Sequence, residues 1–572
     1  MHTIPRAPDV TRARLNEAIT ALQRGHLKTA LSIARDIGHK APDNPDAWWV
    51  LSMVAYRMWL LDEAEAALDR GARLLSRMPE RLAEFTSRRA SLLVLLGRNA
   101  AATQLARQSL AMEGLKAVHI SLFGNVLLSA GHAEEAISVL SRAALLDPKM
   151  ADSWFRLGRA HEAVGNIEPA ENFYEKAIAA GQHTGAHMAL ARLKRWTTSR
   201  NHVDRLLKAP ARDWGDISRV QNALFKEYDD LGLFDEAWQA LEKANHAALN
   251  ETLPSANGIW GTEDEAVPVR LGDLTLDRET ANIDAWKRHF PAERFTGPAR
   301  RVAATGKTAP RRIFIIGLPR TGTTLVQRIL AAHSQVQALG EMPTFPVSVK
   351  RLSGIRGGGL LTPDIIAAAG RTDPRNLAEL YNRETAGLDY GKAYTVDKLT
   401  QNYEYAGLIR LAFPDAILIE TRRNTMDALF GVYKLLMGSD HLWTYRFDDL
   451  VQHYAHYVDL MKHWRACVGN IVDVSLEALI ANPNEQIRSL VTACGLPFEN
   501  ACLSPHQAGG TVITSSSVQI RSPINAQGVG AWRKYETQLA PLRLELLRRG
   551  LIDEAEEPAF SSPLSQPGLA AS

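Results

Sequence analysis

At 572 residues the chain is too long for one hydrophobic core, and roughly two to four domains are expected. Its 46% hydrophobic and 23% charged residues are ordinary for a globular protein. The near balance of 66 basic against 63 acidic residues, a formal charge of +3, gives no support to a general nucleic-acid surface and confines any anion site to a local cluster. Three cysteines, Cys467, Cys494 and Cys502, fit no zinc or redox spacing and read as buried free thiols. The opening MHTIPRAPDV lacks the apolar stretch of a secretory signal, and no apolar run reaches the length of a membrane span, so a cytoplasmic location is expected.

In chain order, the first feature is an internal repeat. Ala117 begins a stretch carrying Phe123, Gly124, Ala136, Leu140, Ala143 and Pro148. Ala151 begins a second carrying Trp154, Leu157, Gly158, Ala170, Tyr174 and Ala177. The two overlay at the ~34-residue spacing of tetratricopeptide repeats, which they resemble. The small residues fall where the first helix of a repeat presses on the second, and Gly131-His132 and Gly165-Asn166 read as the turns between them. The frame extends upstream more weakly through Trp48, Leu51, Ala64 and Leu68, and through Ala18, Gly25, Ala30 and Pro42, giving about five repeats through residue 184. Asn222 to Asn245 reads as one more helical pair. Such arrays present a concave face that takes peptides or protein partners, or they cover a neighbouring domain or support dimerisation. Tryptophans 48, 49 and 154 read as packing residues.

From His246 to about Ala309 the periodicity fades into a linker, with AWKRHFPAERF as a possible short helix. Ile313 to Ile316 is then a short β-forming apolar run that breaks at Gly317, and a helical pattern with Leu325, Ile329 and Leu330 on one side starts after Gly322. Strand, glycine loop and helix form the context of a phosphate-binding loop. Gly317-x4-Gly322 has the spacing of the nucleoside triphosphatase loop, but Thr323-Thr324 stands where that loop has lysine and a magnesium-holding hydroxyl. A metal-free anion cradle of backbone N–H groups, two hydroxyls and Arg320 is expected.

The string PRTGTTL, Pro319 to Leu325, resembles the 5′-phosphosulfate loop of sulfotransferases that use 3′-phosphoadenosine 5′-phosphosulfate. AYTVDKLTQNYEYAGLIRLAFPDAILIETRR, Ala393 to Arg423, is similar to the family's Asp-Lys-x-x-x-Asn segment, helix and second strand. SSSVQIRSPINAQGVGAWRKYETQLAPL, 515 to 542, resembles the closing segment of sulfotransferases that carry tetratricopeptide repeats, with its Gly530-x-Trp532. The best-understood relatives are the tyrosylprotein sulfotransferases. The resemblance implies that the nucleotide is held by Arg320, Thr321, Gly322, Thr323 and Thr324 at its 5′ end and by Arg423 at its 3′-phosphate. It adds Ser517 and Arg533 from the closing segment. Arg320 and Lys398 are the expected stabilising charges and Glu341 the expected base. His333 reads as a structural helix end, and His453 and His456 as packing or surface groups.

Three departures stand out. Gly340-Glu341-Met342-Pro343-Thr344 replaces the Gly-Glu-Glu-Thr-Arg of the tyrosylprotein enzymes, which puts the acceptor in question. Gly431 stands where the family has a serine that helps bind the 3′-phosphate, with Tyr433 or Lys434 as substitutes. Ala531 replaces a basic residue before Trp532, leaving Arg533 or Lys534 to compensate.

The expected architecture is an all-α tetratricopeptide-repeat superhelix (residues 1–200) and a further helical repeat with linker (201–304). These precede an α/β domain with a parallel sheet (305–550) and a disordered tail (551–572). The expected function is sulfuryl transfer to a hydroxyl of a peptide, protein or glycan, including protein tyrosine, without a metal. A protein partner on the repeats is also expected, and residues 345–390 with the loop at 356–359 are assigned to the acceptor pocket or lid. The alternative is a repeat-based scaffold whose sulfotransferase domain binds nucleotide without turnover.

Overall fold

The computed structural model describes residues 9–252, 271–296, 310–356, 359–388, 390–512, 514, 517 and 519–553. Residues 554–572 of the expected disordered tail, 253–270 and 297–309 of the expected linker, and Gly357 and Gly358 of the 356–359 loop lie outside these residues.

Ten helices form five antiparallel pairs at the N-terminal end. They are α1 (Asp9–Gln23), α2 (Leu27–Lys40), α3 (Pro45–Arg57), α4 (Leu61–Arg73), α5 (Pro79–Leu95), α6 (Asn99–Leu110), α7 (Ala117–Ser129), α8 (Ala133–Leu146), α9 (Ala151–Val164) and α10 (Ile167–Gly181). The small residues act as expected. A Cβ on Gly124 would lie 2.7 Å from Leu140, and one on Gly158 would lie 2.6 Å from the Tyr174 ring. Trp48 and Trp154 are packing residues with a shared second role. Each indole N–H donates to a proline carbonyl six residues upstream, Pro42 at 2.8 Å and Pro148 at 2.9 Å, and so closes the preceding turn. Helix α11 (Thr184–Leu193) continues the stack, and after an irregular stretch the helices Trp214–Leu231 and Phe234–Thr252 form the further pair.

The second half is built on five parallel strands, β1 (Arg311–Ile316), β2 (Val336–Gly340), β3 (Tyr394–Asp397), β4 (Ile417–Arg422) and β5 (Ile471–Ser475), in the order β2-β3-β1-β4-β5. β1 is central, with Ile313 opposite both Val396 and Ile417. Alternation along it sends Phe314 and Ile316 into one apolar layer and Ile313 and Ile315 into the other. Both faces are covered, which is why the strand reads as an unbroken apolar run.

The core of the sheet domain also draws on residues upstream of 305, the expected boundary. The helix Leu271–His289 lies upstream of it, yet its Trp286 is fully buried against Phe290, Tyr405 and Trp464 in the core beneath the sheet. Its apolar residues pair with a core more than 100 positions away, so local periodicity could not reveal them. The helices 214–252 likewise share a core with the other half. Phe225, Trp238 and Leu241 pack with Phe430, Tyr433, Tyr535 and Leu539.

The repeats touch the sheet domain at two further places. The Thr344 hydroxyl donates to the Gly97 carbonyl at 3.3 Å, beside an Arg98–Glu384 ion pair at 3.7 Å. Thr511 and Val512 donate to the carbonyls of Gly131 and Ala163 at 2.9 and 3.0 Å. If the close approach of α9 and α10 holds this stack together, Gly158→Val should destabilise the full-length protein by about 1–3 kcal/mol through overpacking on Tyr174. Urea unfolding followed by circular dichroism reads this, and an unchanged midpoint would contradict the packing described.

Candidate active site

All five strands run in one direction, so the segments after β1, β2, β3 and β4 emerge on one edge of the sheet. Ligands of open parallel sheets bind at this edge, where connections leave in opposite directions from a central strand. Here that strand is β1, between β3 and β4.

The loop after β1 is shaped by contact with its neighbours. Gly317 has φ 132°, and a Cβ there would lie 2.8 Å from the Thr421 carbonyl oxygen. Gly322 has φ 97°, with a would-be Cβ 2.9 Å from Leu476. Between them Arg320 takes φ 70°, an unfavourable conformation for a residue with a Cβ. The Thr321 hydroxyl holds the bend, at 2.7 Å from both the Leu318 carbonyl and the Thr421 hydroxyl. Thr323 and Thr324, both buried, open the helix Thr323–Ala331, whose first-turn N–H groups no side chain caps. The positive end of that helix faces the strand edge and suits an anion.

Cations gather beside this loop. Arg423 follows β4 and donates to the Arg320 carbonyl at 3.2 Å and to the Gly528 carbonyl, with Asp427 3.7 Å away. Arg320 donates to the Gln519 side chain at 3.1 Å. Burial, then the charges of Arg423 and Arg192, push the Arg320 guanidinium down to about 10. Burial, then Arg320, with Arg423 adding to it and Asp229 opposing, brings the Lys434 ammonium down to about 8. Both groups are thus lowered first by burial and then by neighbouring positive charge.

Gly431 has a spatial reason. A Cβ there would lie 3.1 Å from the Arg320 Cβ, so the side chain of Arg320 occupies the space over this turn of helix Thr425–Tyr433. Lys434 caps the same helix at its C-terminal end.

On the other side of β1, Glu341 follows β2 and Lys398 follows β3. The Lys398 backbone N–H donates to Gly340 at 3.0 Å, and its fully buried ammonium donates to the Glu341 carboxylate. The Glu341 side chain is 43% exposed, so this carboxylate faces solvent. Asp397, the preceding residue, accepts from Tyr381 at 2.8 Å and Asn402 at 3.1 Å. Burial still pushes its carboxyl up to about 7. The Asp-Lys-x-x-x-Asn spacing thus returns Asn402 to the aspartate and locks the turn that presents Lys398.

Two sequence-expected residues have other partners. Ser517 is buried, and its hydroxyl donates to Glu162 of α9 at 2.7 Å. Arg533 is exposed, its guanidinium 5.0 Å from the centre of the Trp532 ring. The closing segment meets the site elsewhere, through Gln519 and Gly528. It is anchored by the Gly530 and Trp532 N–H groups, which donate to Asp427 at 2.7 and 3.2 Å.

The histidines lie away from the loop. His333 sits 2.7 Å from the Pro497 carbonyl at the end of the loop helix. His453 and His456 flank Glu279 at 2.9 and 3.1 Å; burial pushes that carboxyl up, but the two imidazoles together hold it down to about 2. Arg192 and Asn222, which adjoin the cation cluster, carry no motif and precede the loop by about a hundred residues, so only the fold reveals them.

Residues 310–500 match the sulfotransferase family, and residues 127–193 match a tetratricopeptide repeat. An uncharacterized protein of Aquifex aeolicus is 32% identical over 370 residues, which is 60% of this chain and 48% of that protein. The protein-tyrosine sulfotransferase of Drosophila melanogaster is 24% identical over 253 residues, covering 38% of this chain and 46% of that one. The matches thus span about half the length of these two relatives. Among solved structures, the sulfotransferase domain of the Synechococcus PCC 7002 olefin synthase aligns at 17% identity, with a TM-score of 0.29, over 43% of this chain and 97% of that one. The chain therefore carries a domain of the sulfotransferase family behind an array of tetratricopeptide repeats.

Proposed function

We propose that this domain binds 3′-phosphoadenosine 5′-phosphosulfate and transfers its sulfuryl group to a hydroxyl of a peptide, protein or glycan. The observation that carries this reading is the buried Lys398 ammonium set against the solvent-facing Glu341 carboxylate, on the sheet edge that also bears the anion loop. The residues fit the donor. The loop offers helix N–H groups with Thr323 and Thr324, and Arg423 and Lys434 stand where a second phosphate needs charge.

When bound, the donor supplies a sulfuryl group activated as a mixed anhydride. Glu341 then takes the proton of the acceptor hydroxyl as its oxygen bonds to sulfur. The bond between sulfur and the bridging oxygen breaks, its electron pair stays on the 5′-phosphate, and Lys398 meets the charge that grows there. Arg320 faces the charge on the sulfuryl oxygens. Lys398 also orients the carboxylate before substrate arrives, so base and charge stabiliser are preassembled.

Titration calorimetry with 3′-phosphoadenosine 5′-phosphate tests the binding half. Wild type should bind, and Arg320→Ala should lose about tenfold or more of the affinity, as expected for a charged hydrogen bond. No binding to wild type would reject the reading. Glu341→Gln should lower transfer from labelled donor by about 10²- to 10⁴-fold while nucleotide affinity stays within about twofold. A mutant with wild-type turnover would remove Glu341 from the role of base.

The lowered ammonium of Lys434 gives a pH dependence with a definite sign. A phosphate beside it favours the charged form, so binding takes up a proton once free Lys434 has begun to lose its own. Affinity should be flat from about pH 7 to 8 and weaken above about 8, by at most roughly tenfold per pH unit. Lys434→Met should bind more weakly near neutrality and show no such fall up to pH 9.

A further inference from the structure

The repeat array places one side chain against the cation cluster. Arg192 lies in the last turn of α11, within the repeat stack, and is half-buried. Its guanidinium donates to the Asn222 side-chain oxygen at 2.5 Å. Asn222 is itself buried, and its amide nitrogen donates to the Lys434 carbonyl at 3.1 Å. With one end of the amide committed to a carbonyl, the other must present its oxygen to Arg192, so the orientation of the pair is fixed. The chain of contacts ends on the helix that begins just after Arg423 and carries Gly431 one turn before Lys434.

Arg192 is therefore linked through Asn222 to the C-terminal end of the helix Thr425–Tyr433. Its charge is felt at Arg320, whose side chain crosses Gly431. Its hydrogen-bond partner is a neutral amide. The nearby carboxylate of Glu162 is engaged by the Tyr174 and Ser517 hydroxyls at 2.5 and 2.7 Å. Burial pushes the Arg192 guanidinium down to about 10 with Glu162 opposing, so a phosphate would further offset the cost of holding it there.

We propose that Arg192, supplied by the repeat array, is a binding residue for the 3′-phosphate of the nucleotide and takes over the contact that Gly431 cannot make. This rests on the nucleotide reading above. The loop helix and its threonines serve the 5′ end, whereas Arg423, Lys434 and Arg192 surround the helix assigned to the 3′ end. The repeats would then be part of the nucleotide site as well as a surface for partners.

The test compares two nucleotides on the full-length protein, 3′-phosphoadenosine 5′-phosphate and adenosine 5′-phosphate, which lacks only the 3′-phosphate. Arg192→Gln should weaken the first by about tenfold to a hundredfold and leave the second within about twofold, the loss expected for one charged hydrogen bond. Asn222→Ala, which frees Arg192 from its tether, should shift the ratio in the same direction by less. Arg192→Lys should recover part of the loss, which separates charge from structural damage, and thermal melts establish that each variant is folded. Equal weakening of both nucleotides, or no change in either, overturns the assignment. Failure of wild type to bind 3′-phosphoadenosine 5′-phosphate at all would instead remove the nucleotide reading, and the inference with it.

Discussion

The parallel pairing of β1 with β3 and β4 is the constraint on which the rest of the site depends. It puts three kinds of chemistry on one edge: the glycine loop from β1, the Lys398 turn from β3 and Arg423 from β4. β2 adds Glu341 through its pairing with β3. The pairing also sets the demand for glycine at 317, because the loop leaves β1 directly against the Thr421 carbonyl. A side chain there would push β1 from β4, and the loop, Thr321 and Arg423 would lose their common frame. Cradle and sheet are one structural unit.

A second constraint is electrostatic. Arg320, Arg423, Lys434 and Arg192 lie around one short helix, and Asp427 is committed to Arg423 and to the Gly530 and Trp532 N–H groups. Burial and neighbouring like charge lower the proton affinity of Arg320 and Lys434. The closing segment answers this with dipoles in place of charges, through the Gln519 side chain and the Gly528 carbonyl. Neutral dipoles stabilise the guanidiniums without cancelling their charge. An incoming phosphate oxygen would exchange one acceptor for a stronger, charged one. The cluster thus keeps folding stability and anion affinity compatible at the same residues.

Much of this was legible in the sequence because it is local. The repeat spacing, the small residues at 124 and 158, the strand at 313–316 and the loop after it all express periodicity or steric demand within a few dozen residues. Glu341, Lys398 and Arg423 are named through the family resemblance, and each directly follows a strand of the sheet. Where the physical cause is long-range, the sequence was silent. Trp286 reads as part of a linker until Tyr405 and Trp464 are brought to it. Gly431 reads as a lost hydrogen bond until the Arg320 side chain is found lying over it. Ser517, carried over by resemblance alone, hydrogen-bonds to the repeat residue Glu162. Arg192 belongs to a helix whose pattern reports only its packing in the stack.

The same contacts bear on what the repeats are for. An array that only recruited partners could hang from the sheet domain by a flexible connection, and domain interfaces within a chain are often modest and polar. Here the junction is apolar and extensive in kind. Phe225, Trp238 and Leu241 share a core with Phe430, Tyr433, Tyr535 and Leu539, so the helix that follows Arg423 is packed from outside by repeat-type helices. The closing segment is tied to α9 through Ser517, and the residues just before it are tied to α9 through Val512 and to the loop helix through Arg328, which donates to the Pro505 and Gly509 carbonyls at 3.2 and 2.9 Å. Its Gln519 and Gly528 reach the site arginines from that double anchorage. Positions around the loop and the arginine cluster are therefore set jointly by the sheet and by the repeats. The array is a structural component of the site, whatever else its remaining surface binds.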